Sequence, residues 1–181
     1  YKGVIMSNQN NEAEQKARKS AADMTSADKA AWTGKVIKKY AYGSIAVGLV
    51  PIPLIDLVAL TGLQVKLIHK LSTFYGVPFS EERTKNIIIA LAGASVPLGL
   101  TRAFCSILKI VPVLGFTASA ISMSALSAAS TYAIGKVFVR HFESGGTFLN
   151  FNITKAKDYY EEQVKKGKEF AEESKKTNTE V

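Results

Sequence analysis

Apolar side chains follow a helical period through the middle of the chain. Between Leu54 and Tyr75 they recur at spacings of three and four residues, at Leu57, Leu60, Leu67, Leu71 and Phe74. This spacing places the side chains on one face of an α-helix and predicts an amphipathic helix. Gly76 and Pro78 follow, an order typical of a helix C-terminus, because glycine adopts the left-handed conformation and proline cannot continue the helix.

The other helices are indicated by the same period and by residues that begin or end helices. Ser26, with Asp28 in the first turn, is expected to cap a helix that ends before Pro51. Asn152 is expected to cap the last helix. The predicted helices cover about 26–49, 54–75, 80–95, 98–110 and 116–142, with a final one from 153 onward. Strand alternation is absent from the sequence, which therefore predicts an all-α fold, a single bundle of about five to six helices.

Residues 86–139 are the most apolar part of the sequence and carry only three charged side chains, Arg102, Lys109 and Lys136. The stretch between Lys109 and Lys136 reaches the ~20 residues that a membrane-spanning helix needs, whereas the run after Lys85 is short for that purpose. Serines between 119 and 130 make the longer stretch only weakly lipophilic and suit close helix packing. The sequence predicts a central hairpin of small apolar residues and leaves open whether it enters a membrane or packs within the bundle.

The polar and apolar pattern divides the chain into three parts. Residues 1–25 are rich in Asn, Gln, Lys and Glu, and we expect a flexible polar arm. Residues 26–146 form the helical domain that contains the hairpin. Residues 147–181 are expected to form an amphipathic C-terminal helix with a polar tail.

The net charge of +8 lies before the final helix, because residues 152–181 hold seven basic and seven acidic side chains. Lys35, Lys38 and Lys39 precede an apolar run, an order typical of a segment beside a membrane, but a solvated face of an ordinary amphipathic helix is the preferred interpretation because charge runs are usually solvated. No nucleic-acid-binding motif accompanies the basic residues, so we expect no nucleic-acid partner. The single Cys105 fits a reducing compartment. We expect the cytoplasmic face of a membrane or an integral membrane location, with the cytoplasm as the alternative.

Motifs of catalysis are missing from the sequence. It contains no phosphate-binding loop, no dinucleotide-binding glycine motif, no HExxH and no CxxC. His69 and His141 have no second metal ligand at helical spacing, and the serines between 119 and 130 have no positioned base. We therefore expect a non-enzymatic protein with no catalytic, cofactor-binding or metal-binding residues, and no cofactor.

Two polar residues stand on the apolar helix that follows Pro53. Asp56 is interpreted as a carboxylate that accepts free N–H groups in the first helical turn, with an acidic contact in an apolar site as the alternative. Gln64 interrupts the apolar stripe, and we expect it to hydrogen-bond to another helix and fix the register between the two.

The run from Val50 to Asp56, followed by Leu60, Gln64, Leu71, Tyr75-Gly76 and Ser80-Glu81-Glu82, resembles the domain of unknown function 697 family, the YcjF-like helical proteins. The likeness covers about Lys35 to Phe142. It implies a helical protein of a family often predicted to be membrane-associated and frequently fused to, or encoded near, Era-like GTPases. That family has no established catalytic residues to transfer. The candidate contacts, structural or with a partner, are Pro51, Pro53, Asp56, Gln64, Tyr75 and Gly76.

Three functions are compatible with these features. The first is a membrane-associated helical module that anchors or regulates a protein partner, such as an Era-like GTPase, and contacts lipid. The second is a soluble helical scaffold or self-assembling bundle, so a homo-oligomer stays open. The third and least favoured is a pore-forming or membrane-remodelling protein. Carbonate washing of membranes separates the first from the second, and dye leakage from liposomes tests the third.

Overall fold

The computed structural model describes residues 21–47, 55–94 and 116–179. They form five helices: α1 (Ser26–Val47), α2 (Ile55–Tyr75), α3 (Glu81–Ala94), α4 (Phe116–Glu143) and α5 (Ile153–Thr179). No strand occurs in these ranges, and the predicted all-α bundle is confirmed. The predicted short helix at about 98–110 lies outside the described residues, as does the arm up to residue 20. Ala21, at the end of the predicted arm, is helical and buried.

Side-chain caps set the starts of the helices. The Thr25 hydroxyl accepts a hydrogen bond from the Asp28 backbone N–H at 3.2 Å and donates one to the Asp28 carboxylate at 2.7 Å. The prediction that Ser26 caps α1 is therefore wrong by one residue, because Thr25 is the hydroxyl that lies three positions before Asp28. At α5 the prediction is confirmed, since the Lys155 N–H donates to Asn152 Oδ1 at 3.0 Å.

Glycines in the left-handed conformation end α2 and α4. Gly76 has φ +70°, and the Val77 N–H donates to the Ser72 carbonyl at 2.8 Å. Gly145 has φ +78°, and the Gly146 N–H donates to the His141 carbonyl at 2.9 Å. Both ends are Schellman motifs, in which a residue without Cβ lets the chain turn back and satisfy the last carbonyls.

Helix α4 is the central element and packs against α1, α2 and α5. It runs parallel to α2, because Gln64 contacts Thr131 while Tyr75 contacts Glu143. It runs antiparallel to α5, because Ala129 lies against Gly167 while Arg140 lies over Tyr159. Helix α1 is antiparallel to α2, as the Trp32–Phe74 stack and the Gly43–Leu63 contact show.

Small residues allow these helices to approach closely. A Cβ placed on Gly167 would lie 2.7 Å from the Ala129 Cα, and a Cβ on Gly135 would lie 2.7 Å from Ile37 Cγ1. Described residues of the predicted hairpin that are buried in α4 are mostly small, namely Ser124, Ser127, Ala128, Ala129, Thr131, Ala133, Ile134, Val137, Phe138 and Val139. This part of the hairpin packs on protein. Among the described helices, none combines the length and hydropathy needed to cross a bilayer.

The topology gives the bundle two different ends. The short-loop end holds the connections 76–80 and 144–152 and the start of α1. The apolar-segment end holds the end of α1, the start of α2, the end of α3, the start of α4 and the end of α5. The segments 48–54 and 95–115, whose sequences are mostly apolar, therefore join the bundle at the same end.

Aromatic rings fill the core at the short-loop end. The Phe138 side chain is fully buried, and its ring centroid lies 5.1 to 5.8 Å from those of Phe142, Phe148 and Phe151. Phe142 and Phe148 are also buried. The rings hold the end of α4, the connection after it and the start of α5 together, which fixes the geometry of the surface built there.

Candidate functional site

The six candidate contacts of the resemblance occupy different environments. Pro51 and Pro53 lie outside the described residues. Asp56 falls in the first turn of α2, since the helix begins at Ile55, and its side chain lies outside the description. Gln64, Tyr75 and Gly76 are described, and they lie at separate places along α2 rather than in one cleft. The interpretations of Asp56, structural or contact, therefore stay predictions.

Gln64 lies at the junction of α2 and α4. Its side chain is 2% exposed, and its amide nitrogen donates to the Ser130 and Thr131 hydroxyls, each at 3.3 Å. The interhelix hydrogen bond expected of Gln64 is present. The Ser130 hydroxyl also lies 3.1 Å from the Tyr160 hydroxyl of α5. These four side chains form a polar cluster that joins three helices and fixes their register, because a shift of one helix would leave buried polar groups unpaired.

Tyr160 is a member of this cluster that the sequence did not single out. The amphipathic pattern of the last helix did not distinguish Tyr160, whose hydroxyl reaches Ser130. Burial raises the pKa of Tyr160, and the Ser130 hydrogen bond opposes that shift. The phenol therefore stays neutral at physiological pH and acts as a structural hydrogen-bonding group.

Tyr75 connects the end of α2 to the end of α4. Its hydroxyl donates to the Glu143 carboxylate at 2.8 Å. Burial is the largest cause of the raised pKa of Tyr75. The hydrogen bond to Glu143 and the negative charge of Glu143 raise it further. Gly76 then ends α2 through its left-handed conformation. Both residues have structural roles in this region, at the short-loop end of the bundle.

A basic pocket opens at the short-loop end, between the last turns of α4 and the first turns of α5. Its volume is about 470 Å³. It is lined by Val137, Arg140, His141, Ser144, Asn150, Phe151, Asn152, Lys155, Ala156 and Tyr159. We call this set the basic pocket, because it contains two cationic side chains and no carboxylate.

Local contacts hold the walls of the basic pocket in place. The Arg140 guanidinium lies 4.4 Å from the Tyr159 ring centroid. His141 Nε2 lies 2.9 Å from the Thr147 carbonyl, and a Cβ on Gly146 would overlap the imidazole ring. The Asn150 side chain accepts from the Thr147 N–H at 2.7 Å. His141 lies in the last turn of α4. The pocket itself was not predicted.

The described residues contain no cluster of His, Cys, Asp and Glu side chains that could hold a metal ion. His69 is exposed and its ring lies 4.5 Å from that of Phe79, whereas His141 belongs to the basic pocket. The groups that line the basic pocket include cations, amides and aromatic rings, which can contact a ligand.

The fold thus defines a class of protein. It is an α-helical bundle whose central helix is rich in small residues and which has a basic pocket at one end. The chain belongs to the family described as domain of unknown function (DUF697), whose model matches residues 11–169. A protein of Magnetospirillum gryphiswaldense, magnetosome membrane protein 22, is 39% identical to it over 137 residues, covering 75% of this chain and 70% of that relative. No solved structure matches the chain.

Proposed function

We propose that this chain is a non-enzymatic, membrane-associated helical module that anchors or regulates a protein partner. Support for the membrane part comes from the magnetosome membrane protein of Magnetospirillum gryphiswaldense, which shares 39% identity with this chain. The main structural support is the placement of helix ends, since the apolar segments 48–54 and 95–115 both join the bundle at the apolar-segment end. The residues proposed to contact lipid are therefore only part of the predicted hairpin 86–139, together with the segment 48–54.

Exposed apolar side chains favour the same end. Of the five large apolar side chains that are exposed in the described residues, four belong to the halves of their helices nearest the apolar-segment end, namely Tyr42, Val58, Ile89 and Leu126. Each lies within about three turns of its helix terminus there. Exposed apolar side chains at one end of a bundle suit contact with a membrane or a protein.

Replacing apolar residues of the segment 95–115 by serine is expected to release the protein from membranes. The test variant carries serine at Leu98, Leu100, Phe104, Ile107 and Leu108. The unaltered chain should sediment with vesicles of phosphatidylcholine and phosphatidylglycerol, whereas most of this variant should stay in the supernatant. Each apolar side chain withdrawn from lipid costs ~1.5–3 kcal/mol of binding free energy.

The matched control is Leu149→Ser, which removes an exposed apolar side chain at the opposite end of the bundle. It should sediment like the unaltered chain. Equal sedimentation of the five-residue variant and the unaltered chain, both with unchanged helical circular dichroism, would contradict lipid contact by the segment 95–115.

The purified protein is expected neither to bind nor to hydrolyse GTP, because its sequence has no phosphate-binding loop. If a GTPase is the partner, the nucleotide site belongs to that partner. Isothermal titration calorimetry of the chain with GTP and Mg²⁺, beside a phosphate-loop GTPase as positive control, should give no heat of binding. Stoichiometric binding would overturn the prediction that the chain has no nucleotide site.

A second candidate function is a soluble scaffold or self-assembling bundle. The observation that favours it is the enclosure of α4 by α1, α2 and α5, since this helix contains the second half of the predicted hairpin and packs on protein. Carbonate washing of membranes that carry the chain separates the two functions. A membrane-associated module with inserted segments stays in the pellet, and a scaffold is released.

A further inference from the structure

The charge of the basic pocket is positive and incompletely compensated. Arg140 and Lys155 are exposed, and neither takes part in an ion pair within the part of the chain that the structure describes. Glu162 is within the electrostatic range of Arg140, but its carboxylate is held by Lys166 at 2.6 Å. The two cations therefore present free positive charge to a ligand, with Arg140 oriented by its stacking on Tyr159.

Apolar and aromatic surface surrounds these cations. The pocket lining includes Val137, Phe151, Ala156 and Tyr159. Leu149, which precedes the lining residue Asn150, is 77% exposed. Arginine, tyrosine and phenylalanine beside an exposed leucine are typical of protein-binding surfaces, where aromatic and arginine side chains supply most of the binding energy. An isolated anion such as phosphate would leave this apolar surface uncovered.

The position of the basic pocket argues against lipid as its ligand, and this step rests on the proposed function. The start of α4 lies at the apolar-segment end, and Val137 is 21 residues further along the helix. At a rise of ~1.5 Å per residue, the pocket lies about 30 Å from that end. A membrane contacted at the apolar-segment end would therefore lie about 30 Å from the pocket.

We propose that the basic pocket binds an acidic segment of a partner protein. Carboxylates of that segment pair with Arg140 and Lys155, and an apolar side chain beside them packs on Phe151, Tyr159 and Leu149. This assigns the two ends of the bundle different roles, with the lipid contact at the apolar-segment end and the partner contact at the short-loop end.

The test uses a fluorescein-labelled peptide of six glutamates interrupted by two leucines, measured by fluorescence anisotropy with the full chain. The double variant Arg140→Gln with Lys155→Gln should weaken binding about five- to tenfold, as expected for the loss of two exposed charge pairs. Raising the salt concentration should also weaken binding of the peptide to the unaltered chain, because salt screens charge pairs. The matched control, Lys66→Gln with Arg83→Gln, removes two exposed charges from α2 and α3 and should bind the peptide like the unaltered chain.

Leu149→Ser separates a protein-binding surface from a simple anion site. It should weaken peptide binding severalfold and leave any binding of inorganic phosphate unchanged. Absence of peptide binding, or equal binding by the double variant and the unaltered chain, would overturn the proposal. Binding of phosphate without the peptide would identify a small-anion site instead.

Sedimentation of the same variants with phosphatidylglycerol vesicles keeps this inference distinct from the proposed function. The double variant should sediment as the unaltered chain does. If the double variant no longer sediments with the vesicles and the unaltered chain does not bind the peptide, the pocket is a lipid headgroup site and the partner proposal is wrong. If the unaltered chain does not sediment but binds the peptide through Arg140 and Lys155, the membrane proposal fails and the pocket proposal stands.

Discussion

Replacing Phe138 by alanine is expected to lower the free energy of unfolding by about 3–5 kcal/mol, the usual cost of truncating a fully buried phenylalanine. The Phe138 side chain has no exposed surface and contacts the rings of Phe142, Phe148 and Phe151. These rings join the end of α4 to the start of α5, so the cavity would lie beneath the basic pocket. Urea unfolding followed by circular dichroism gives the free energy directly.

The control for Phe138 is Leu149→Ala, at an apolar residue that is 77% exposed. Its free energy of unfolding should stay within about 0.5 kcal/mol of the unaltered chain, because surface substitutions remove little packing. A loss below about 1 kcal/mol for Phe138→Ala would contradict the packing of the aromatic cluster, since such a value is typical of a partly exposed site.

Gly167→Ala is expected to destabilise the bundle by about 1–3 kcal/mol, as overpacking does when backbone must move. The added Cβ would lie 2.7 Å from the Ala129 Cα and 2.9 Å from its carbonyl oxygen. Neither is the end of a flexible side chain, so α5 must move away from α4. In a chain of this length the melting temperature should fall by about 2–4 °C for each kcal/mol.

Gly34→Ala is the matched control for Gly167, because both glycines are inside helices. No heavy atom lies within 4 Å of a Cβ placed on Gly34. Alanine there should raise stability by about 0.5–1 kcal/mol, since it removes the entropic cost of glycine in a helix. If both variants gain stability alike, α4 and α5 do not approach as closely as described.

The sequence predicted most of the helices because periodicity, glycine and asparagine act locally. The stop at Gly76, the cap at Asn152 and the extent of α4 to about residue 142 needed no knowledge of tertiary contacts. The cap of α1 was misplaced by one residue because Thr25 and Ser26 are both hydroxyl residues before Asp28. Periodicity could not distinguish them, since only the structure gives the position of each hydroxyl.

The candidate site depended on contacts between distant residues, and the sequence predicted less of it. Gln64 was recognised because a polar residue on an apolar stripe needs a partner, although its partners Ser130 and Thr131 could not be named. The basic pocket was missed because Arg140 and Lys155 belong to different helices and are joined only after the chain reverses at Gly145. For the hairpin, small residues suit a protein core and a membrane helix equally, so the sequence alone could not predict that the part of the hairpin in α4 packs on protein.

The proposed function requires the chain to contact lipid through the apolar-segment end. Cys105 is the single cysteine of the sequence and lies in the segment 95–115, so an environment-sensitive nitrobenzoxadiazole dye can be attached there alone. The comparison variant carries Cys105→Ser and Ser144→Cys, which moves the same dye to the short-loop end.

Titration of both labelled chains with phosphatidylcholine and phosphatidylglycerol vesicles is the most direct measurement of this claim. The dye on Cys105 should shift its emission to shorter wavelength and gain intensity as it enters an apolar environment, whereas the dye at position 144 should change little. A bound protein whose dye on Cys105 does not respond, or responds no more than the dye at position 144, would contradict the claim.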